Sequence, residues 1–267
     1  MIPPFPIPQA LALSTEAGWN QNAADWQRLF RLAPDGCFGA WAGERLVSTT
    51  VALVYEKRLA WIGMVLTTES QRGKGHARNL LLQALDYCDR GNIESVKLDA
   101  TDLGRPVYAK LGFVDERAVS RWIRPASSRP ASPVTGPGPI DLQLDLEAFG
   151  ADRSAFLQLL AAENETYSIP GRGFAFARPG RLAWHFGPSV SRDADSAATL
   201  LQAFLAAHGD QPSMLDLCDE HEAAARIARQ AGYQPVRRLL RMYRGDPRLS
   251  TLASGNLIYA LGAFEYG

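Results

Sequence analysis

Apolar residues change period several times between residues 26 and 123, and each change marks an element. Trp26, Leu29, Phe30 and Leu32 have helical spacing, closed by Pro34-Asp35-Gly36. Residues 38–41 then predict a strand, Ala42-Gly43-Glu44 a turn, and 45–55 a long β-branched strand. Glu56-Lys57-Arg58 turns the chain into an apolar strand over 59–66. Beyond a glycine-containing loop, Ala77, Leu80, Leu81, Ala84, Leu85 and Cys88 recur at the spacing of a helix with one buried face, stopped at Gly91. A strand over 96–100, a short helix over 106–111 closed by Gly112-Phe113, and a strand over 119–123 complete the first half.

The same order returns in the second half. Residues 174–178 and 182–186 predict a hairpin around Pro179-Gly180. Ala197, Leu200, Leu201, Phe204 and Leu205 make a helix ended by His208-Gly209. A strand over 214–217, a helix over 222–231 and a strand over 236–243 follow. Leu111-Gly112-Phe113 and Ala231-Gly232-Tyr233 hold equivalent places, which suggests a structural duplication. The pattern is that of an α+β protein: a mixed, mostly antiparallel sheet with flanking helices, built twice. The expected units are 1–125, a Pro/Ser/Gly-rich linker over 126–139 that should be extended and semi-rigid, and 140–247. The tail over 248–267 carries Leu257, Ile258, Tyr259, Leu261, Phe264 and Tyr266, too apolar to hang in water, and is expected to pack on the body.

Composition narrows the classes. Twenty-eight Lys+Arg against 28 Asp+Glu leave a formal net charge of zero over 267 residues, so no overall basic field draws nucleic acid or a membrane surface. Cys37, Cys88 and Cys218 lie far apart, which argues against a disulfide framework or a zinc site. The segment Met1-Ile2-Pro3-Pro4-Phe5-Pro6 lacks the basic start and apolar run of a signal peptide, and no stretch reaches membrane-spanning length. The expectation is a cytoplasmic protein without metal.

The candidate chemistry sits at Arg72-Gly73-Lys74-Gly75-His76-Ala77, between an apolar strand and an amphipathic helix. Glycines let backbone approach a phosphate, and a helix N-terminus offers unpaired N–H groups backed by the positive end of its dipole. A nucleotide-triphosphate loop needs GxxxxGK(S/T), but no Ser or Thr follows Lys74. A dinucleotide loop needs GxGxxG after a parallel strand, whereas the strands here are joined by tight turns. In the second half Ser191-Arg192-Asp193-Ala194-Asp195 takes the loop's place, and two aspartates would repel a phosphate.

Arg72 to Ala77 satisfies Q/R-x-x-G-x-G/A, and the downstream run ending Tyr108-Ala109-Lys110-Leu111-Gly112-Phe113 fits Y-x-K-L-G-F. Both motifs resemble those of the GNAT-type N-acyltransferases, and the second half resembles a degenerate GNAT copy in tandem. The resemblance implies an N-acyltransferase that moves an acetyl group from acetyl-CoA to an amine by direct attack. Backbone N–H groups of Gly73, Lys74, Gly75, His76, Ala77 and Arg78 would hold the CoA pyrophosphate beside Arg72. Val65, Leu66 and Thr67 would pair with the pantetheine arm and polarise the thioester carbonyl. Tyr108 stands at the position of the general acid; an unperturbed tyrosine, with pKa about 10, suits donation to a thiolate. Thr101 replaces an asparagine that contacts pantetheine in many members.

No carboxylate lies in Trp61-Ile62-Gly63-Met64, where many relatives carry their base; Asp99 is the first alternative, equally suited to a structural role, and no base is assigned. Trp19, Asn20 and Trp26, with Asn22, are candidates to line the site of a small-molecule or peptide amine acceptor, or to pack on the sheet. Trp184 and His185 are candidates for a second-half wall or an ordinary strand. The alternative activity is a non-catalytic acyl-CoA sensor, favoured only by the missing base.

Overall fold

The computed structural model describes residues 4–128, 138–246 and 256–267. The middle of the expected linker, 129–137, the last residue of the expected second unit, 247, and the start of the expected tail, 248–255, lie outside these. The chain opens with α1 (Ile7–Glu16) and α2 (Ala23–Leu32). Helix α2 starts at a reciprocal cap: Asn22 accepts from the Asp25 N–H, and Asp25 accepts from that of Asn22. Strands β1 (Cys37–Ala42), β2 (Arg45–Tyr55) and β3 (Leu59–Thr67) form an antiparallel meander. Then come α3 (His76–Arg90), β4 (Ser95–Ala100), α4 (Arg105–Ala109) and β5 (Val114–Arg124).

The second half runs α5 (Leu142–Phe149), α6 (Ser154–Glu163), β6 (Glu165–Ile169), β7 (Gly173–Arg178) and β8 (Trp184–Ser191). It continues with α7 (Ala194–His208), β9 (Ser213–Cys218), α8 (Glu222–Gln230) and β10 (Gln234–Gly245), and ends on β11 (Ile258–Ala260). The helices α1, α5 and α6 go beyond the sequence expectation. Ile7-Pro8-Gln9-Ala10-Leu11-Ala12-Leu13 and Phe156-Leu157-Gln158-Leu159-Leu160-Ala161-Ala162 are apolar nearly all round, so neither shows the contrast between faces that reveals a surface helix.

Among the described residues, eleven strands join one sheet in the order β1-β2-β3-β4-β10-β5-β9-β8-β7-β6, with β11 against β8. Of these pairings, β3–β4 and β8–β9 are parallel and the rest antiparallel. The order crosses the halves: β10 of the second half pairs with β4 of the first, from Leu240↔Ala100 to Gly245↔Ser95. Reciprocally, β5 pairs with β9, from Val119↔Cys218 to Arg124↔Ser213, and β5 and β10 lie side by side. The linker thus divides the sequence but not the sheet. One core cluster likewise joins Trp26 and Leu29 to Phe156 and Phe174 and to Tyr266 of the tail.

Buried ion pairs staple this seam. Arg241 on β10 reaches Asp99 on β4 with two bonds of 2.9 and 3.1 Å. Arg121 on β5 holds Asp216 on β9 at 2.8 and 2.7 Å, and the His185 Nε2 stands 3.4 Å from the same carboxylate. His185 is therefore interior and no surface strand residue. Burial and the nearby Arg178 push its pKa from 6.5 down to about 4. Below pH 6.5 the unfolded chain takes a proton that the folded one refuses, so stability should fall as pH drops from 6.5 toward 4. The full loss amounts to roughly 3 kcal/mol. Burial would raise Asp216, but Arg121 and His185 more than offset it and hold it low, so its loss begins only below about pH 4. Urea unfolding across this range should show a shallower fall for His185→Gln.

Candidate active site

Strands β3 and β4 pair from Leu59↔Ser95 to Ile62↔Leu98 and then part, opening a wedge between Gly63–Thr67 and the end of β4. A bulge sits where they part: β2 pairs Val51 with Gly63 and Thr49 with Leu66, leaving two residues of β3 opposite one of β2. Met64, inside the bulge, has φ of +52°, a left-handed backbone that non-glycine residues rarely adopt. Such a bulge re-aims strand N–H groups.

The glycine loop connects the end of β3 to α3. Gly73 and Gly75 have φ of +76° and +83°, and nothing lies within 4 Å of where a Cβ would stand, so both serve the turn and leave the surface open. Gly75 is the cap residue of α3, whose first turn holds no side-chain cap and no acidic residue. Its leading N–H groups therefore point outward with the helix dipole behind them. Arg72, Lys74 and Arg78 are exposed around it, Arg72 Nε reaching the Thr67 carbonyl and Lys74 Nζ the Gln71 amide. At the equivalent helix of the second half, the Asp193 carboxylate accepts from the Ser196 N–H at 2.9 Å and pairs with Arg172. That N-terminus is closed by its own anion. The second wedge is filled too: β8 and β9 pair at Trp184↔Ser213 and His185↔Met214, then β11 lies along β8 while the Leu261 N–H donates to the Asp216 carbonyl.

Between β3 and β4 lies a cavity of about 110 Å³. Val65, Thr101 and Tyr108 line it, and so does Trp19. Tyr108, on α4, is buried edge-on to Phe113; burial pushes its pKa up to about 12, and its hydroxyl has no hydrogen-bond partner among the described residues. Thr101 Oγ1 accepts from the Gly104 N–H at 3.1 Å and so shapes the turn into α4. Leu66 is buried, and the Thr67 hydroxyl lies 2.9 Å from that of Ser48.

Two acceptor candidates are corrected. Trp26 is fully buried between Phe5 and Phe30, its Nε1 donating to Ser14 Oγ, because its α2 face covers the sheet. Asn20 is a clasp: Oδ1 accepts from the N–H groups of Leu182 and Ala183, and Nδ2 donates to the Ala183 carbonyl, tying the α1–α2 loop to the second-half hairpin. Asp99, the first alternative base, borders the cavity but has both oxygens on Arg241.

The tail supplies what the sequence reading lacks. Trp61 Nε1 donates to the Phe264 carbonyl at 2.8 Å, and Tyr55 to that of Tyr266 at 2.8 Å. A Cβ on Gly63 would stand 2.9 Å from the Glu265 Cα, so glycine there is what lets the tail seat against β3. Glu265 thereby enters the cavity wall with Gln21, Arg121 and Arg237. Its Oε1 accepts from Gln21 Nε2 at 2.9 Å, and burial pushes its pKa above the ordinary carboxylate value. One signal was available: Glu265 is the sole charged residue in 256–267. Among the described residues no cluster of His, Cys, Asp or Glu could hold a metal, and no helix is long and apolar enough to cross a membrane.

Residues 7–113 match the profile of the acetyltransferase (GNAT) family, and residues 142–258 match that of an acetyltransferase (GNAT) domain. The chain belongs to the GNAT family, as a tandem pair of domains. An uncharacterized N-acetyltransferase of Bacillus subtilis (strain 168), YitH, is 27% identical over 230 residues, 79% of this chain and 78% of the relative. A Pyrococcus horikoshii crystal structure described as a candidate acetyltransferase shares the fold with a TM-score of 0.85 at 20% identity, covering 98% of this chain and 92% of its own. A tandem GNAT protein from the clavulanic acid biosynthesis pathway superposes with a TM-score of 0.62 at 14% identity, covering 89% and 94%. The second GNAT domain keeps the architecture of the first without its glycine loop.

Proposed function

We propose that this tandem GNAT protein is an acetyl-CoA-dependent N-acetyltransferase with one active site, in its first domain. The observation that carries the reading is the pairing of an open, uncapped helix N-terminus with a wedge that leads to Tyr108, against a capped and filled counterpart in the second domain. The N–H groups of residues 73–78 hold the CoA pyrophosphate, aided by the exposed Arg72, Lys74 and Arg78. The strand edge from Val65 to Thr67 receives the pantetheine arm, and the bulge turns a backbone N–H toward the thioester oxygen, where negative charge develops. Acetyl-CoA supplies the thioester that a free amine attacks directly. Tyr108, kept protonated by burial, gives the departing thiolate its proton. The buried carboxylate of Glu265 in the cavity wall supports the enzyme reading over a non-catalytic acyl-CoA sensor.

Isothermal titration with acetyl-CoA tests the cofactor. The expected result is one site per chain; no heat at millimolar ligand would overturn the reading. Gly75→Asp should weaken binding at least tenfold beyond Gly75→Asn. Both residues tolerate the left-handed backbone, so the difference isolates a carboxylate beside the pyrophosphate, costing on the order of several kcal/mol for like charges.

A further inference from the structure

The cavity's charged groups sort into used and unused. Asp99 is neutralised by Arg241, and Arg121 by Asp216. Arg237 lies in register opposite Arg121 on the neighbouring strand, at the rim between the cavity and an open groove beside Trp122. It is half-buried, and among the described residues it has no hydrogen bond and no salt bridge. Burial and the adjacent Arg121 lower its pKa, and the nearby Asp216, whose oxygens are already held by Arg121, offsets this only in part. Glu265 is buried as well: burial and Asp25 raise its pKa, Arg178 and Arg121 partly oppose that rise, and among the described residues only its Oε1 is hydrogen-bonded, to Gln21. The other acceptor here is orphaned: Gln21 Oε1 is fully buried without a partner. The carboxylate fixes that amide's orientation, because turning Nε2 away would set two oxygens against each other.

We propose that the acceptor is a small amine that also bears a carboxylate, of the amino-acid type, its ammonium received by Glu265 and Gln21 and its carboxylate by Arg237. This rests on the acetyltransferase reading above. Two acceptors without a donor match an ammonium, and a lone guanidinium matches a carboxylate. A diamine would set its second ammonium against Arg237. An amine with no anion would leave that guanidinium unpaired. Glu265 is then a catalytic residue of the acceptor side. The ammonium gives one proton to the Glu265 carboxylate, and the freed nitrogen lone pair forms the C–N bond as the C–S bond breaks. The thiolate takes its proton from Tyr108, the second proton lost by nitrogen restores the tyrosine, and the proton held by Glu265 leaves to solvent.

Initial rates of thiol release from acetyl-CoA, with free amino acids, their C-terminal amides and diamines as acceptors, provide the test. Amino acids should exceed their amides in kcat/KM by at least tenfold. Arg237→Ala should abolish that preference by lowering the acids alone, and Arg237→Lys should restore part of it. Glu265→Gln should lower kcat and remove the acidic limb of the pH–rate profile, an effect that a packing role would not produce. Amides or diamines turned over as well as the acids, or an Arg237→Ala loss shared equally by acids and amides, would overturn the inference. If no amine is turned over, titration of the amino acids into the CoA-bound protein decides, absence of binding overturning it. Failure of acetyl-CoA itself to bind is a separate result and strikes the acetyltransferase reading instead.

Discussion

Replacing Arg241 with alanine is expected to cost about 3–5 kcal/mol of stability, the usual consequence of stranding one member of a buried ion pair. Asp99 has no exposed side-chain surface, and both its oxygens rest on this guanidinium. Burial alone would raise the Asp99 pKa, and Arg241 opposes that, so the variant must either bury a bare carboxylate or protonate it. The same guanidinium lies 4.4 Å from the centre of the Trp61 ring, adding a cation–π contact to the loss. Because the pair joins β4 to the exchanged strand β10, the damage falls on the seam between the domains and on one wall of the cavity. Guanidinium unfolding measures it. The double variant Asp99→Leu/Arg241→Met should recover most of the stability, since removing both charges leaves nothing uncompensated. A single-variant loss below about 1 kcal/mol would contradict a structural role.

Tyr108→Phe should lower kcat by about a hundredfold while leaving acetyl-CoA affinity and fold stability almost unchanged. The separation follows from the surroundings of the hydroxyl. It has no hydrogen-bond partner among the described residues, and the edge-on contact with Phe113 involves only the ring, so phenylalanine fits the same space. With its pKa pushed up to about 12, the hydroxyl is protonated across the working range and is spent only when a thiolate forms beside it. Single-turnover rates with pre-bound acetyl-CoA read the chemical step. Unchanged turnover would make Tyr108 a packing residue and move the proton source to solvent.

What the sequence made legible is local. A positive-φ loop needs glycine at Gly73 and Gly75, and the helix behind it shows its buried face by spacing, so loop and wedge can be read from contiguous residues. The duplication is equally legible, because Gly112-Phe113 and Gly232-Tyr233 close the same turn twice. The exchange of β5 and β10 is not, since an amphipathic strand carries no label for the strand it will meet. That hidden pairing misdirects the reading of Asp99: a carboxylate near the site suggests a base until Arg241 arrives from the other domain. Trp26 and Asn20 mislead for a similar reason, as a tryptophan and an asparagine suit a pocket as well as a core or a clasp. Glu265 is the converse case. It is remote in sequence and reaches the cavity only because Gly63 leaves room for the tail. The apolar run around it announces packing but does not say where.

The most direct test of acetyl transfer in the first domain is continuous thiol release from acetyl-CoA with a panel of primary amines, with the product mass measured in parallel. The account predicts many turnovers per chain and an amine heavier by one acetyl group, both lost in Gly75→Asp. Stoichiometric binding of acetyl-CoA with no thiol released above the solvent rate, for every amine in the panel, would contradict it.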